Sequence, residues 1–201
     1  MYNEEFKDAI KADLKKSLTP GRYTHVLGVA AAARHLAGLY GSDADAAEVA
    51  ALLHDAAKQK PLEEMQALAG RSFTDLPAPV FNIGSLLHGY AAVTLAREQY
   101  GIDDPDILSA IAHHTTGAET MGKLEKIIFM ADYIEVNRDF DGVEALRQAA
   151  ERDLNEAVLL GYDSTIRHLL DQKKPIFIGT VVNRNAHISA MMKAAARKAG
   201  R

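Results

Sequence analysis

The chain has 201 residues, of which 48% are hydrophobic and 25% are charged, and its formal net charge is −4. These values are typical of one globular domain and give no reason to expect a nucleic-acid polymer as a partner, because binding to a phosphate backbone usually shows as clustered lysine and arginine. The chain has no cysteine, which excludes disulfides, thiol catalysis and thiolate metal ligands, so any metal must be held by histidine and carboxylate groups.

Helices are predicted along nearly the whole chain. The first covers residues 3–18, is charged and amphipathic, and ends at Pro20-Gly21. Pro61 opens a short helix for which Gly70 is the expected stop, and the two prolines within residues 75–79 predict a loop. The other predicted helices cover about residues 23–40, 43–55, 84–100, 105–114, 121 to beyond 132, and 143–170, with a last one of uncertain length after Pro175.

Residues 176–182 have strand character, but Gly179 favours a loop there. No repeat, low-complexity tract or linker divides the chain. We therefore predict a single all-α domain over residues 1–201, with the motifs in a core of about residues 20–140 and further helices and a nucleotide-contacting loop in residues 141–201.

The N-terminus has no export signal and charges interrupt the alanine-rich stretches, so we expect a cytoplasmic protein without a membrane span.

Five short segments place a histidine or an aspartate in an otherwise apolar helical setting. A histidine, an adjacent His-Asp pair, two further histidines and a late aspartate supply enough ligands for two metal ions. In chain order the segments are Arg22-Tyr23-Thr24-His25, Leu52-Leu53-His54-Asp55, His88-Gly89, His113-His114-Thr115-Thr116-Gly117 and Phe129-Met130-Ala131-Asp132-Tyr133.

The His-Asp pair is the most informative of these segments. His54 follows residues 49–53, an apolar run typical of a buried helix. Burying an unpaired histidine and aspartate at its end would be costly, so a metal or a hydrogen-bonded partner must offset that cost. Asp132 also follows an apolar helical turn, which favours a ligand there, and a cap or an ion pair with Arg138 is the alternative explanation.

Helical periodicity separates the two adjacent histidines. His114 stacks over an apolar stripe and His113 over a more polar one, so His114 is the expected ligand, while His113 supports a ligand or faces solvent. The residues around His88 do not by themselves indicate whether this histidine is a ligand. The other three histidines, His35, His168 and His187, are interpreted as ordinary surface or core residues.

The order His, His-Asp, His, His, Asp on an all-α chain resembles that of the HD-domain metallohydrolases. The longer strings narrow the resemblance to the YqeK-like proteins, which are bacterial symmetrical diadenosine tetraphosphate hydrolases that use two iron ions. The strings are Arg22-Tyr23-x-His25-x-x-x-Val29, Leu53-His54-Asp55-x-Ala57-Lys58, His88-Gly89, His114-Thr115-Thr116-Gly117 and residues 126–135. The resemblance covers about residues 22–185 and implies metal ligands at His25, His54, Asp55, His88, His114 and Asp132.

The resemblance also implies contacts to the substrate. Two departures affect this part of the site: the family tends to carry a His-Pro pair where this chain has Phe177-Ile178, and Glu-Pro-x-Arg where it has Glu135-Val136-Asn137-Arg138. Both leave the implied metal ligands intact. The implied contacts to the nucleotide or its phosphates are Lys58, Thr115, Arg138, Thr180, Arg184 and Asn185, beside the ligand side chains of His25, His88, His114 and Asp132.

The number of expected ligands argues for two metal ions. Four protein ligands suffice for a simple HD site, so His88 and His114 argue for a second ion, with Asp55 as the bridging carboxylate. Imidazole and carboxylate suit Fe, Mn or Co, and iron is what the resemblance implies. The expected reaction is hydrolysis of a dinucleoside tetraphosphate at its middle by metal-activated water, with ADP or GDP as product. The expected catalytic residues are His54, Asp55, Lys58 and His88.

Two other interpretations stay open. An HD phosphohydrolase acting on nucleoside monophosphates or on cyclic (di)nucleotides would use the same ligands. A non-catalytic nucleotide sensor would usually have lost a ligand, whereas all six positions here hold competent residues. A homodimer is also compatible with the sequence.

Overall fold

The structure, a computed structural model, describes residues 2–200, so Met1 and Arg201 at the ends of the predicted 1–201 domain lie outside the described residues. Within residues 2–200 no residue belongs to a strand, which confirms the all-α prediction. No helix in this range is long and apolar enough to cross a membrane. The helices are α1 Glu4–Ser17, α2 Pro20–Tyr40, α3 Ala44–Leu53, α4 Leu62–Ser72, α5 Ala78–Phe81, α6 Gly84–Tyr100, α7 Pro105–His113, α8 Lys123–Ile134, α9 Val143–Arg152, α10 Leu154–Asp171 and α11 Ile178–Ala199.

Short polar side chains and prolines begin several of these helices. Asn3 caps α1 by accepting the main-chain N–H of Phe6 at 2.9 Å. Asp43 and Asp104 cap α3 and α7 in the same way. Pro20 lies in the first turn of α2, so this helix begins three residues before the predicted start at residue 23.

The predicted boundaries were wrong around α4 and α5. Helix α4 continues through Gly70 to Ser72, because Gly70 does not adopt the left-handed conformation of a C-terminal glycine. The chain leaves the helix at Phe73, whose ring packs against the core. Residues 75–79 are not all loop, since α5 begins at Ala78.

The C-terminal part differs more from the prediction. The helix predicted over residues 143–170 is interrupted at Asp153, whose extended backbone ends α9 and whose side chain caps α10. The loop predicted over residues 176–182 is helical from Ile178 onward. The ring of Phe177 lies against Gly179, and a Cβ at this position would come within 2.3 Å of Phe177 Cε1.

Helix α2 packs against α3 and α8, and α7 packs against both α6 and α8. Small side chains allow the close approach of α2 and α3: Ala33 and Ala37 of α2 and Ala47, Ala50 and Ala51 of α3 are all fully buried. This packing places the ends of α3 and α7 beside α2, α6 and α8, and the candidate site forms there.

Candidate metal centre

The six predicted ligands lie on five helices or directly after them. Two of these helices, α3 and α7, end at the site, and the residues that follow them, His54 and His114, keep helical backbone angles. His54 and His88 are fully buried, and Asp55 and His114 are almost so. The positions are His25 in α2, His54 and Asp55 after α3, His88 in α6, His114 after α7 and Asp132 in α8.

Asp55 lies between two pairs of histidines. Its Oδ2 is 3.5 Å from His54 Nε2 and 3.7 Å from His25 Nε2. Its Oδ1 is 3.1 Å from His88 Nε2 and 3.7 Å from His114 Nε2. Each carboxylate oxygen therefore faces a different histidine pair, which is the arrangement needed to bridge two metal ions.

Asp132 completes the cluster. Its Oδ1 lies 3.1 Å from His25 Nε2. Arg138 holds this aspartate by donating to its carboxylate and, at 2.7 Å, to its main-chain oxygen. Ligand atoms within 4.8 Å of one another form three overlapping sets, which together include all six predicted ligands: His25, His54 and Asp55; His54, His114 and Asp132; and Asp55, His88 and His114.

The glycine that follows His88 is explained by the approach of α6 to α7. A Cβ on Gly89 would lie 2.8 Å from the main-chain oxygen of Ile111 and 2.9 Å from that of Ala112. Only glycine permits this separation without a shift of one helix. The same approach brings His88 Nε2 to 2.8 Å from His114 Nε2.

Each of the four histidines predicted as ligands uses its Nδ1 for an interaction outside the cluster. This pattern fixes the hydrogen on Nδ1, so we infer that Nε2 presents its lone pair toward Asp55. The partners of Nδ1 are the main-chain oxygens of Ala51, Gly84 and Ile111 for His54, His88 and His114, and the carboxylate of Glu135 for His25.

These residues fit bound divalent metal ions. Nε2 of His25, Nε2 of His54 and Oδ1 of Asp55 are buried without a hydrogen-bond partner. Buried polar atoms without partners are rare and costly, and a coordinated cation would satisfy all three. The donor set of imidazole and carboxylate groups is one that divalent metals accept.

The carboxylates are ionised although burial opposes their charge. Burial alone would raise the pKa of Asp55, but the surrounding histidines hold that pKa well below its usual range. For Asp132 too, burial is outweighed by neighbouring histidines and by Arg138, so its pKa is lowered. Two negative charges are therefore available to cations at neutral pH.

Burial and neighbouring charges shift the pKa values of the basic groups in different directions. Burial lowers the pKa of His88 to about 4 and also lowers the pKa of His114, although Asp55 opposes both shifts. These rings are therefore neutral at neutral pH, as metal ligands must be. For His54 the negative charge of Asp55 outweighs burial and the pKa is raised. Burial lowers the pKa of Lys58.

A cavity of about 370 Å³ opens beside the cluster. Its lining includes two predicted ligands, His114 and Asp132, and three predicted substrate contacts, Lys58, Thr115 and Arg138. Cations next to the ligands suit phosphate groups, and the apolar and hydroxyl side chains beyond them suit a nucleoside. These further lining residues are Tyr133, Phe140, Ser164, Thr165, His168 and Leu169.

His168 was interpreted from the sequence as an ordinary histidine. Its side chain is exposed and lies on the cavity wall formed by α10. The sequence around it carries no signal of this position, because only the packing of α10 beside α8 brings it there. The other two interpretations agree with the structure, since His35 pairs with Glu151 at the surface and His187 is buried against the main-chain oxygen of Asn155.

His113 lies outside the ligand cluster. Its Nδ1 is 2.7 Å from Glu125 Oε1, and the side chain is part-exposed. The two adjacent histidines therefore point to different environments, as the periodicity of α7 predicted.

The structure does not bring Thr180 and Arg184 to the cavity lining. Thr180 is buried on α11, and Arg184 Nε is paired with Asp163 Oδ1 at 2.5 Å. Asn185 is exposed on the same helix and accepts from Arg184. Contacts of these three residues with a nucleotide stay a prediction.

Two residues contact the cluster although no role was predicted for them from the sequence. Glu135 is 2% exposed and lies against His25, and Arg22 Nη1 lies 2.8 Å from Asp55 Oδ2. Both are within strings that carried the family resemblance. Their partners are distant in sequence, so no local pattern connects them to the ligands.

Comparisons with known proteins agree with this geometry. The family model described as HD domain matches residues 22–137. Two proteins named symmetrical bis(5'-nucleosyl)-tetraphosphatase are similar: one from Halalkalibacterium halodurans is 44% identical over 172 residues, which cover 86% of this chain and 91% of the relative. The other, from Bacillus subtilis, is 40% identical over 179 residues, which cover 89% and 95%.

A solved structure supports the same fold. It is described as that of a predicted HD superfamily hydrolase involved in NAD metabolism from Clostridium acetobutylicum, and it matches with a TM-score of 0.87 and 43% identity over 91% of this chain and 97% of that chain. The chain belongs to the HD-domain family. Within it, the identities over most of the chain place it in the family of the symmetrical bis(5'-nucleosyl)-tetraphosphatases.

Proposed function

We propose that this chain hydrolyses dinucleoside tetraphosphates, with diadenosine tetraphosphate as the representative substrate, at the middle of the phosphate chain to give two nucleoside diphosphates. The observation that carries the proposal is the position of Asp55 between two histidine pairs, beside a cavity lined by Lys58 and Arg138. The names of the similar proteins supply the substrate class.

We propose two divalent ions as cofactors. When bound, such ions supply Lewis-acid activation of water and of phosphoryl oxygens. Iron is proposed because of the family resemblance, and Mn or Co would be accepted by the same ligand types. His25, His54, Asp55 and Asp132 would hold one ion, and Asp55, His88 and His114 would hold the other.

The chain's own groups then bind and orient the phosphates. Lys58 Nζ lies 3.2 Å from His88 Nε2, and Thr115 Oγ1 lies 3.1 Å from His114 Nε2. Both donors can therefore reach a phosphate oxygen next to the ligands, and Arg138 lies on the same cavity wall. Positive charge here compensates the charge that a tetraphosphate brings into a partly buried site.

The reaction breaks one phosphoanhydride bond. The oxygen of a water molecule bonds to one of the two central phosphorus atoms, and the bond from that phosphorus to the central bridging oxygen breaks. The bridging oxygen leaves with the other nucleoside diphosphate, and the proton of the water passes to solvent. His54, Asp55 and His88 hold the reacting centre in place, and Lys58 binds the phosphates.

The two parts of the chain have different proposed roles. Residues of about 20–140 supply the metal ligands, and residues 141–201 supply α10, which forms one wall of the cavity, and α11. Contacts from Thr180 and Arg184 to the nucleotide belong to this proposal on the strength of the family resemblance. A homodimer and a cytoplasmic location likewise stay predictions.

Metal content and product analysis on one anaerobically purified sample test the proposal. About two metals per chain and ADP as the only product from diadenosine tetraphosphate are expected. AMP and ATP as products would contradict cleavage at the middle. Turnover of nucleoside monophosphates or cyclic dinucleotides in place of diadenosine tetraphosphate would contradict the substrate class.

A further inference from the structure

We propose that the two halves of the centre hold divalent ions with unequal affinity, and that Glu135 and Lys58 set the difference. The inference rests on the proposed two-ion centre. The first half, which would bind tightly, comprises His25, His54, Asp132 and Asp55 Oδ2; the second half, which would bind weakly, comprises His88, His114 and Asp55 Oδ1.

The nitrogen ligands of the first half are free to coordinate. Nε2 of His25 and Nε2 of His54 are buried and have no hydrogen-bond partner. An ion that binds there gains two ligands without breaking a hydrogen bond at either nitrogen. This half is therefore organised for an ion in advance.

Glu135 supports the first half by contacting His25 on the side of the ring that faces away from the cluster. Its Oε1 lies 3.2 Å from His25 Nδ1, and its Oε2 accepts the main-chain and side-chain N–H groups of Asn137 at 2.8 and 2.9 Å. Gly28 leaves room for this carboxylate, since a Cβ there would lie 2.3 Å from Glu135 Oε2. A fixed carboxylate behind an imidazole orients the ring and makes it a stronger ligand, and His25 alone among the four ligand histidines has one.

The two histidine nitrogens of the second half are already engaged by hydrogen-bond donors. Lys58 Nζ lies 3.2 Å from His88 Nε2 and 3.8 Å from Asp55 Oδ1. An imidazole nitrogen has one lone pair, so an ammonium group and a metal ion cannot share it. Thr115 Oγ1 lies 3.1 Å from His114 Nε2, so its hydroxyl can donate to the lone pair of that nitrogen. An ion entering this half must displace both Lys58 and the Thr115 hydroxyl from the two histidines.

Cations beside the first half do not compete in the same way. Arg22 contacts Asp55 Oδ2 and Arg138 contacts Asp132 Oδ1. A carboxylate oxygen has two lone pairs, so it can accept from an arginine and coordinate an ion together. The competition is therefore specific to the histidine side of the second half.

Titration of the metal-free protein with Mn²⁺ in a calorimeter tests the inference. We expect two binding events per wild-type chain with dissociation constants at least about tenfold apart. Glu135→Gln should weaken the tighter event by about 10- to 100-fold and leave the weaker one nearly unchanged. Lys58→Met should tighten the weaker event by about tenfold, because a charged competitor is removed.

Matched controls are present in the chain. Glu125 contacts His113 as Glu135 contacts His25, but His113 lies outside the cluster, so Glu125→Gln should leave both binding events unchanged. Lys60, two residues after Lys58, pairs with Glu64 at the surface, and Lys60→Met should also have no effect. Circular dichroism checks that each variant is folded, and Lys58→Met still decides the matter if Glu135→Gln does not fold.

Each result has a defined meaning. Two events of equal affinity in the wild-type protein, or a weaker second event in Lys58→Met, would overturn the inference while leaving a two-ion centre. A single binding event in all proteins would overturn both the inference and the two-ion centre. Turnover of diadenosine tetraphosphate by the wild-type protein, assayed separately, reports on the proposed reaction whatever the affinities are.

Discussion

Asn183 on the last helix donates its side-chain amide to the main-chain oxygen of Thr116 at 3.0 Å, and to that of Gly117 at 3.1 Å. These two carbonyls belong to the loop that follows His114 and carries Thr115. Helix α11 therefore supports the candidate site by fixing this loop. For this helix the family resemblance had implied only direct contacts to the nucleotide, from Thr180, Arg184 and Asn185.

Replacing Asn183 with alanine should loosen this loop. We expect Asn183→Ala to lower kcat/KM for diadenosine tetraphosphate by about tenfold, since two hydrogen bonds that position a ligand loop are lost. Steady-state kinetics measures the effect. Ser189→Ala is the control, because Ser189 is exposed on the same helix and bonds only to the main chain of α11; equal losses in both variants would contradict the positioning role.

The adjacent histidines at the end of α7 give a direct test of the ligand assignment. His114 is buried in the cluster, whereas His113 is part-exposed and contacts Glu125. His114→Ala should reduce turnover by more than about 100-fold, which exceeds the loss typical of a residue behind a ligand, and should lower metal content. His113→Ala should keep nearly normal turnover and metal content, and a reversal of this order would show that the assignment is wrong.

Lys58 is expected to bind substrate phosphates in the ground state and in the transition state alike. Lys58→Ala should therefore raise KM more than it lowers kcat. Initial rates over a range of diadenosine tetraphosphate concentrations separate the two constants. A loss of kcat with unchanged KM would place Lys58 in the chemical step instead, and Lys60→Ala serves as the neighbouring lysine control.

Several of the predicted ligands could be found because they are visible in their own neighbourhood, whereas His88 came only from the family resemblance. His54 and Asp132 interrupt apolar helical runs, and such an interruption is a local signal that needs no knowledge of the fold. The order of the motifs then supplied the family. These two sources of information account for the agreement between the six predicted ligands and the cluster in the structure.

What escaped prediction depends on contacts between distant parts of the chain. Glu135 lies 110 residues from His25, and His168 reaches the cavity only through the packing of α10. Residues 176–182 were predicted to be a loop because of Gly179, but α11 begins at Ile178 and includes that glycine. Helix breakers and long-range partners are decided by tertiary packing, which a single sequence does not reveal.

A buried lysine in α1 links stability to pH. Lys7 is fully buried and contacts Asp45 at 2.9 Å and Glu48 at 3.1 Å. Hydrogen bonds from Lys7 and Arg34 lower the pKa of Asp45 to about 2, and for Glu48 the pairing with Lys11 and Lys7 outweighs burial and lowers the pKa. Since these carboxyl groups titrate near pH 4 in an unfolded chain, their stabilisation is complete above about pH 5 and is lost as the pH falls towards about 2.

Glu48→Gln should therefore destabilise the protein in a pH-dependent way. We expect the free energy of unfolding at pH 7 to fall by about 2 kcal/mol, because a charged hydrogen-bond partner of a buried lysine is lost. The difference from wild type should shrink as the pH falls below about 4. Urea unfolding at a series of pH values measures this, with Glu63→Gln as an exposed control; a difference that does not change with pH would contradict the role of the ionised carboxylate.

Gly89 tests whether the spacing of α6 and α7 is needed for the second histidine pair. Gly89→Ala would place a methyl group 2.8 Å from the main-chain oxygen of Ile111, so the helices must separate at a cost of about 1–3 kcal/mol. We expect a lower midpoint in urea unfolding and, because His88 moves away from His114, weaker binding of one Mn²⁺ ion. Gly38→Ala is the matched control, since Gly38 is also helical but a Cβ added to it would have no neighbour within 4 Å; it should be stabilising by about 0.5–1 kcal/mol. Equal stability changes in the two variants would mean that Gly89 is not required for the approach of the helices.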